Sequence, residues 1–159
     1  MRQRIALPAG GFWSPVFTME NIMLDMHDHD QDLIITTADL ARLQPLLDAH
    51  DSRAVDQLDR ELDRARLVEP GNIPADVVTM NSEVVYEDCS TFATRKIRIV
   101  YPTDADAHKG RVSVLAPIGS ALLGLRVGQS ITWRLPSGMK RIRVIELHYQ
   151  PEACGDFHL

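Results

Sequence analysis

Leu115-Ala116-Pro117-Ile118-Gly119-Ser120-Ala121-Leu122-Leu123-Gly124-Leu125-Arg126-Val127-Gly128 is the stretch whose reading decides the fold. An apolar strand end meets a Pro/Gly turn, and a short helix of small and branched residues follows. Gly124 and Gly128 then mark chain reversals of the kind that need a left-handed backbone. Both flanks read as strands. Val112-Ser113-Val114-Leu115 leads in, and Ser130-Ile131-Thr132-Trp133-Arg134-Leu135 leads out with period-two alternation. The spacing predicts a helix lying across a sheet and plugging its core.

Downstream, Lys140–Leu147 alternates Arg141 and Arg143 with Ile142 and Val144, giving one wet and one buried face, and Ser137-Gly138 before it reads as a hairpin turn. Upstream, Arg95–Tyr101, Glu83–Glu87 and Val77–Met80 read as further strands. Glu69-Pro70-Gly71-Asn72-Ile73-Pro74 cannot continue a helix and marks a boundary.

Before that boundary the period is helical. Leu33-Ile34-Ile35 is a short apolar run, and Thr36-Thr37-Ala38-Asp39 matches an N-cap with an acidic residue three positions on. Leu40, Leu43 and Leu47 recur at helical spacing, and Pro45 is expected to end or bend this first helix early. After the polar reversal Asp48-Ala49-His50-Asp51-Ser52, the stripe Ala54, Val55, Leu58, Leu62 and Ala65 predicts a second helix to about Val68. Its other face is charged, with Asp56, Asp59, Arg60, Glu61, Asp63, Arg64 and Arg66. The pair is expected to form an αα-hairpin, a protruding rod on the order of 15–25 Å long at about 1.5 Å per residue.

Residues 1–32 show no sustained period and are expected to be a flexible leader. Met1-Arg2-Gln3-Arg4 imitates the start of a signal peptide, but Pro8, Gly10, Gly11 and Pro15 fall where its apolar helix would be. His27-Asp28-His29-Asp30 reads as solvated tail, since alternate residues in such a segment supply no fixed ligand geometry. The expected division is residues 1–32 leader, 33–69 helical hairpin and 70–159 an α+β domain, an antiparallel sheet wrapped on one short helix.

The 159 residues suffice for one domain with a small appendage, and 45% hydrophobic with 25% charged residues is a globular composition. Seventeen basic against twenty-two acidic residues give a net charge of −5, which argues against direct, sequence-independent nucleic-acid binding and suits a basic or protein partner. No apolar run is long enough to span a membrane. Cys89 and Cys154 lie far apart and read as reduced thiols, so a cytoplasmic, monomeric protein is expected.

Catalytic signatures are absent: there is no Gly-x-Ser-x-Gly elbow, phosphate-binding loop, His-Glu-x-x-His or Cys-x-x-Cys. Cys89 has Asp88 beside it but no identifiable histidine base, and reads as a strand-end thiol. His148 and His158 read as surface residues, and Trp133 and Tyr149 as sheet packing with a polar tip towards solvent. At the tip of the predicted hairpin, Asp48 and Asp51 flank His50. Two such carboxylates could share a divalent cation with a partner's site, but Asp is also a turn former, and Asp51 or Ser52 can cap the second helix. The expectation is a partner-contacting tip with no resident metal or cofactor.

Three groups of residues carry a family resemblance: Asp76-Val77-Val78-Thr79-Met80-Asn81-Ser82; Pro117 to Gly124 with Gly128; and Glu146-Leu147-His148-Tyr149-Gln150-Pro151-Glu152-Ala153 with Gly155-Asp156. In this order they resemble the regulator of nucleoside diphosphate kinase family, related to the GreA/GreB transcript-cleavage factors of bacterial RNA polymerase. The resemblance covers roughly Thr37 to Leu159. It implies an N-terminal helical hairpin (coiled coil) joined to an FKBP-like domain that docks on RNA polymerase near the secondary channel. The implied role is non-enzymatic: transcription regulation that reaches nucleoside diphosphate kinase indirectly. Candidate partner contacts are Asp48, His50 and Asp51 at the tip, and the motif residues Pro117, Gly119, Ala121, Leu122 and Gly124. In the cleavage factors a long coiled coil carries acidic residues down to the active site. Here the hairpin is too short to deliver Asp48 or Asp51 to a deeply buried magnesium. Two alternatives remain at this level: an anti-backtracking cleavage factor using those aspartates, and an FKBP-like prolyl isomerase or chaperone. Only 6% of the chain is aromatic, which speaks against an aromatic-lined isomerase pocket.

Overall fold

The computed structural model describes residues 32–159, so the expected leader and its His-Asp alternation lie outside the described residues. The order of elements is β1 (Ile34–Thr36), α1 (Thr37–Ala49), α2 (Arg53–Leu62), β2 (Arg66–Val68), β3 (Glu83–Asp88), β4 (Ala93–Val100), β5 (Arg111–Ser113), α3 (Pro117–Leu122), β6 (Ser130–Leu135), β7 (Gly138–Tyr149) and α4 (Pro151–Cys154). The class is mixed α+β: a five-stranded sheet in the order β5-β4-β3-β7-β6 and a two-stranded sheet of β1 and β2.

Helix α1 starts as the sequence reading expects, with the Thr36 hydroxyl accepting from the Asp39 N–H at 3.0 Å. Pro45, however, does not end it. The helix runs to Ala49 with Pro45 inside. Both Pro45 and Ala41, whose carbonyl loses its helical donor, are exposed, so water can satisfy the orphaned acceptor. The Ser52 hydroxyl accepts from the Val55 N–H at 3.3 Å and caps α2. That helix stops at Leu62 rather than Val68, because Arg66–Val68 pairs in parallel with Ile34–Thr36. The Arg66 N–H donates to the Leu33 carbonyl at 2.7 Å.

In the larger sheet β6 and β7 form the expected hairpin, but its turn is Pro136-Ser137 rather than Ser137-Gly138, because Gly138 already pairs with Leu135 as the first residue of β7. Two further expectations fail. Val77–Met80 is not a strand but a buried irregular run, tied by the Val78 N–H to the Leu125 carbonyl at 2.8 Å and by one bridge from Val77 to Arg126. The sheet is also not wholly antiparallel. Its edge strand β5 pairs in parallel with β4, reached through two short 3-10 turns at Pro102–Asp104 and Ala107–Lys109.

Nor do the helices stand off as a free rod. Leu43, Leu47, Val55, Leu58 and Leu62 belong to one buried apolar cluster with Leu122, Leu123, Trp133 and Val144, and α2 packs on α3. The stripe is too apolar to be left to a two-helix contact, and the sheet domain offers it the area it needs. Trp133 sits in that cluster, 1% exposed, with its Nε1 buried and lacking a hydrogen-bond partner among the described residues, so its polar tip does not reach solvent. Its position on the inward face of β6 overrides the preference of the indole N–H for water.

Candidate functional site

The tip residues fall in and around the α1–α2 turn. Asp48 lies in the last turn of α1, His50 is its C-cap and Asp51 precedes the cap of α2, and all three are exposed. The Gln44 side-chain amide donates to Asp48 Oδ1 at 3.3 Å, and His50 Nδ1 lies 2.7 Å from the Leu46 carbonyl oxygen. No group of three or more His, Cys, Asp or Glu residues able to hold a metal ion occurs among the described residues.

The five motif residues divide by role. Gly119, Ala121, Leu122 and Gly124 are buried, whereas Pro117 reaches the surface. A Cβ at Gly119 would lie 2.2 Å from the Ser113 carbonyl oxygen, so only glycine lets α3 settle on the end of β5. Gly124 has a φ of 81°, and its carbonyl accepts from the Ile34 N–H at 3.1 Å, joining the first strand to the exit of α3.

Pro117 and Ile118 open onto a cleft of about 560 Å³, whose apolar wall is completed by Tyr86, Leu135, Pro136 and Ile142. Asp88, Arg95 and Lys140 also line it. Hydrogen bonds from the Ser90 hydroxyl and N–H hold the Asp88 carboxyl down to about 2, helped by Lys140 Nζ at 3.2 Å from Asp88 Oδ2. The cleft thus presents an apolar floor beside charges of both signs.

Between α1, residues 74–82 and the start of α4 runs a buried polar seam that the sequence reading missed. Asp39 is 3% exposed, and its Oδ2 accepts from the Met80 N–H at 3.2 Å. The Thr79 hydroxyl donates to Glu152 Oε2 at 2.7 Å, and the Gln150 amide donates to the carbonyls of Pro74 and Val77 at 2.9 and 2.7 Å. Burial pushes the Asp39 carboxyl up to about 6, with the nearby Glu152 charge adding to it, while the Met80 and Thr36 hydrogen bonds and the Arg42 charge oppose the rise. The signal was present: Asp39 stands four residues before Leu43 and eight before Leu47, on the same buried face. Two of the resemblance motifs acquire a structural account here, since Thr79 and Val77 of the Asp76–Ser82 group meet Glu152 and Gln150 of the Glu146–Ala153 group across this seam. Its outer edge is closed by the Arg126–Asp76 fork at 3.0 and 3.1 Å, and the Tyr149 hydroxyl donates to Asp156 Oδ2 at 2.5 Å.

Comparison with known proteins agrees with this layout. Residues 31–68 match the family described as Rnk N-terminus, and residues 73–149 match the family described as Transcription elongation factor, GreA/GreB, C-term. A regulator of nucleoside diphosphate kinase from Escherichia coli (strain K12) is 45% identical over 131 residues, covering 80% of this chain and 96% of that protein. The transcription elongation factor GreA of Syntrophotalea carbinolica is 30% identical over 95 residues, 60% of either chain. Among solved structures, a prokaryotic transcription elongation factor GreA/GreB from Nitrosomonas europaea superposes with a TM-score of 0.63 at 41% identity, covering 75% of this chain and 99% of that one. The fold is therefore of the GreA/GreB kind, and the identity across almost the full length of the Escherichia coli protein places the chain in the family of regulators of nucleoside diphosphate kinase.

Proposed function

We propose that this chain is a non-enzymatic transcription regulator that binds RNA polymerase near its secondary channel and affects nucleoside diphosphate kinase indirectly, through transcription. The observation that carries this reading is the match of residues 73–149 to the elongation-factor C-terminal family. The sheet domain, residues 70–159, is taken as an FKBP-like docking module and residues 33–69 as a helical hairpin appended to it. Docking uses the cleft at Pro117 and Ile118. Gly119, Ala121, Leu122 and Gly124 shape that surface from within rather than touching the partner.

The exposed turn with Asp48, His50 and Asp51 is the second contact, directed at a basic or metal-bearing opening. Helices α1 and α2 contain 13 and 10 residues, so they extend only about 20 and 15 Å. Packed as they are on the sheet domain, they suit a channel mouth rather than a deep active site. The protein acts as a monomer in the compartment of the polymerase, and no helix among the described residues is long and apolar enough to cross a membrane.

Transcription in vitro with purified core polymerase tests the reading. The protein is expected to alter elongation or pausing while leaving transcript cleavage in arrested complexes at its background rate. Stimulated cleavage that disappears in the Asp48→Ala, Asp51→Ala double variant would replace this reading with that of a cleavage factor.

A further inference from the structure

A second cleft, of about 540 Å³, lies between α2 and the edge strand β6, and four of its six lining residues are arginines: Arg53, Arg60, Arg64 and Arg134, with Gln57 and Glu61. The concentration of charge is unusual in a chain whose net charge is −5. It arises from the periodicity of α2. Arg53 and Arg60 stand seven residues apart, two turns of α2, on the side away from the buried Val55, Leu58 and Leu62, and Arg64 follows in the turn just beyond the helix end. Arg134 completes the ring from β6, on the face opposite the buried Trp133.

The guanidinium groups are largely uncommitted. Glu61 Oε1 holds Arg64 at 2.8 Å and the Arg64 Nε donates to the Arg60 carbonyl at 3.4 Å, whereas Arg60 donates only its Nε, to the Asp56 carbonyl at 3.1 Å. Arg53 and Arg134 form no ion pair among the described residues. Four guanidinium charges against one carboxylate leave an excess of three in a single open cleft. One carboxylate ligand would satisfy a single fork and leave that excess. Two or three linked phosphates, the terminal one carrying about −1.5 to −2 near pH 7, match both the charge and the fork geometry. Among the described residues no aromatic side chain lines the cleft, so they offer no platform on which a base could stack.

We infer that the Arg53, Arg60, Arg64 and Arg134 cleft is a binding site for a di- or triphosphate group, recognised through its phosphates and indifferent to the base attached to them. This site is separate from the Pro117 cleft and does not depend on polymerase docking. Two sources share the chemistry, free polyphosphates such as nucleotides and the backbone of a nucleic acid, and the site is assigned to the free ligands.

Titration calorimetry on the full chain at about 0.15 M salt, with inorganic tripolyphosphate as the probe, tests this. One-site binding is expected, and ATP and UTP should bind within about threefold of one another. Arg60→Ala and Arg134→Ala should each weaken binding roughly tenfold or more, the scale of a lost charge-assisted hydrogen bond. Arg134→Lys, which keeps the charge and loses the fork, should fall between. Arg111→Ala, in a different basic cleft with Lys96, Arg98 and Lys109, should leave affinity unchanged. Thermal melts of each variant check that it is folded, and the lysine variant carries the test if an alanine variant is not. Absence of tripolyphosphate binding at millimolar concentration would overturn the inference, as would an equal loss in Arg111→Ala. Displacement of tripolyphosphate by single-stranded RNA at a lower phosphate concentration would overturn the assignment to free ligands.

Discussion

Asp39 occupies a position that the helical period reserves for an apolar side chain, and the seam around it shows what keeps a carboxyl there. It accepts a hydrogen bond from Met80 N–H and faces Glu152, Arg42 and Tyr101, whose phenol is itself pushed up by burial. Its carboxyl is raised to about 6, so the neutral form is favoured by the fold. The contribution to stability is therefore full below the unfolded value near 4 and is lost as pH rises through about 6. The deficit at neutral pH is of order 3 kcal/mol at most. Asp39→Asn keeps an acceptor for Met80 and removes the charge. It is expected to raise the denaturation midpoint relative to the wild type at pH 7.5 and to lose that advantage at pH 4; an equal loss of stability at both values would show that ionisation of Asp39 is not what costs the fold at neutral pH. Gly119 makes a sharper demand. Gly119→Ala would drive a Cβ to 2.2 Å from the Ser113 carbonyl oxygen, so α3 must lift, and a loss of about 1–3 kcal/mol is expected in urea unfolding. An unchanged midpoint would mean that α3 is not seated as described.

At the level of elements, what was legible in the sequence was what is encoded locally. Thr36 and Ser52 cap their helices because a hydroxyl at that position reaches the backbone N–H three residues on. The β6–β7 hairpin and α3 were likewise readable from alternation and from the Pro/Gly pattern around Pro117. What escaped was set by partners distant in sequence. Arg66–Val68 looks like the end of a helix until Ile34–Thr36 is beside it, and β5 pairs in parallel only after the chain has turned twice. The Pro117 cleft had two visible members in its motif, Pro117 and Ile118, while Tyr86, Leu135 and Ile142 arrive from three strands. The arginine cleft was half visible as the charged face of α2, but Arg134 joins it only through tertiary packing. Because α2 shares its core with Trp133, the helices and the sheet should unfold together. Leu58→Ala, at a fully buried position, is expected to cost about 2–5 kcal/mol. It should lower one transition followed equally by far-ultraviolet circular dichroism and by Trp133 fluorescence in a Trp13→Phe background. Two separated transitions would mean that the helices fold independently of the sheet.

For the whole molecule, the charge of −5 and the exposed acidic turn favour a basic partner and make the encounter sensitive to salt. The apolar floor of the Pro117 cleft supplies what salt does not screen. Raising ionic strength should therefore weaken binding to RNA polymerase without abolishing it, whereas a charge placed on the cleft floor should act at any salt. Ile118 is only partly buried, so Ile118→Asp alters that surface without removing a central core residue. Equilibrium binding of the full chain to purified core RNA polymerase, measured at two salt concentrations for the wild type and for Ile118→Asp, tests the docking account most directly. The account predicts binding by the wild type at both salts, weaker at the higher one, and at least a tenfold loss in a folded Ile118→Asp variant. Wild-type protein that binds at neither salt would contradict the assignment of RNA polymerase as the partner.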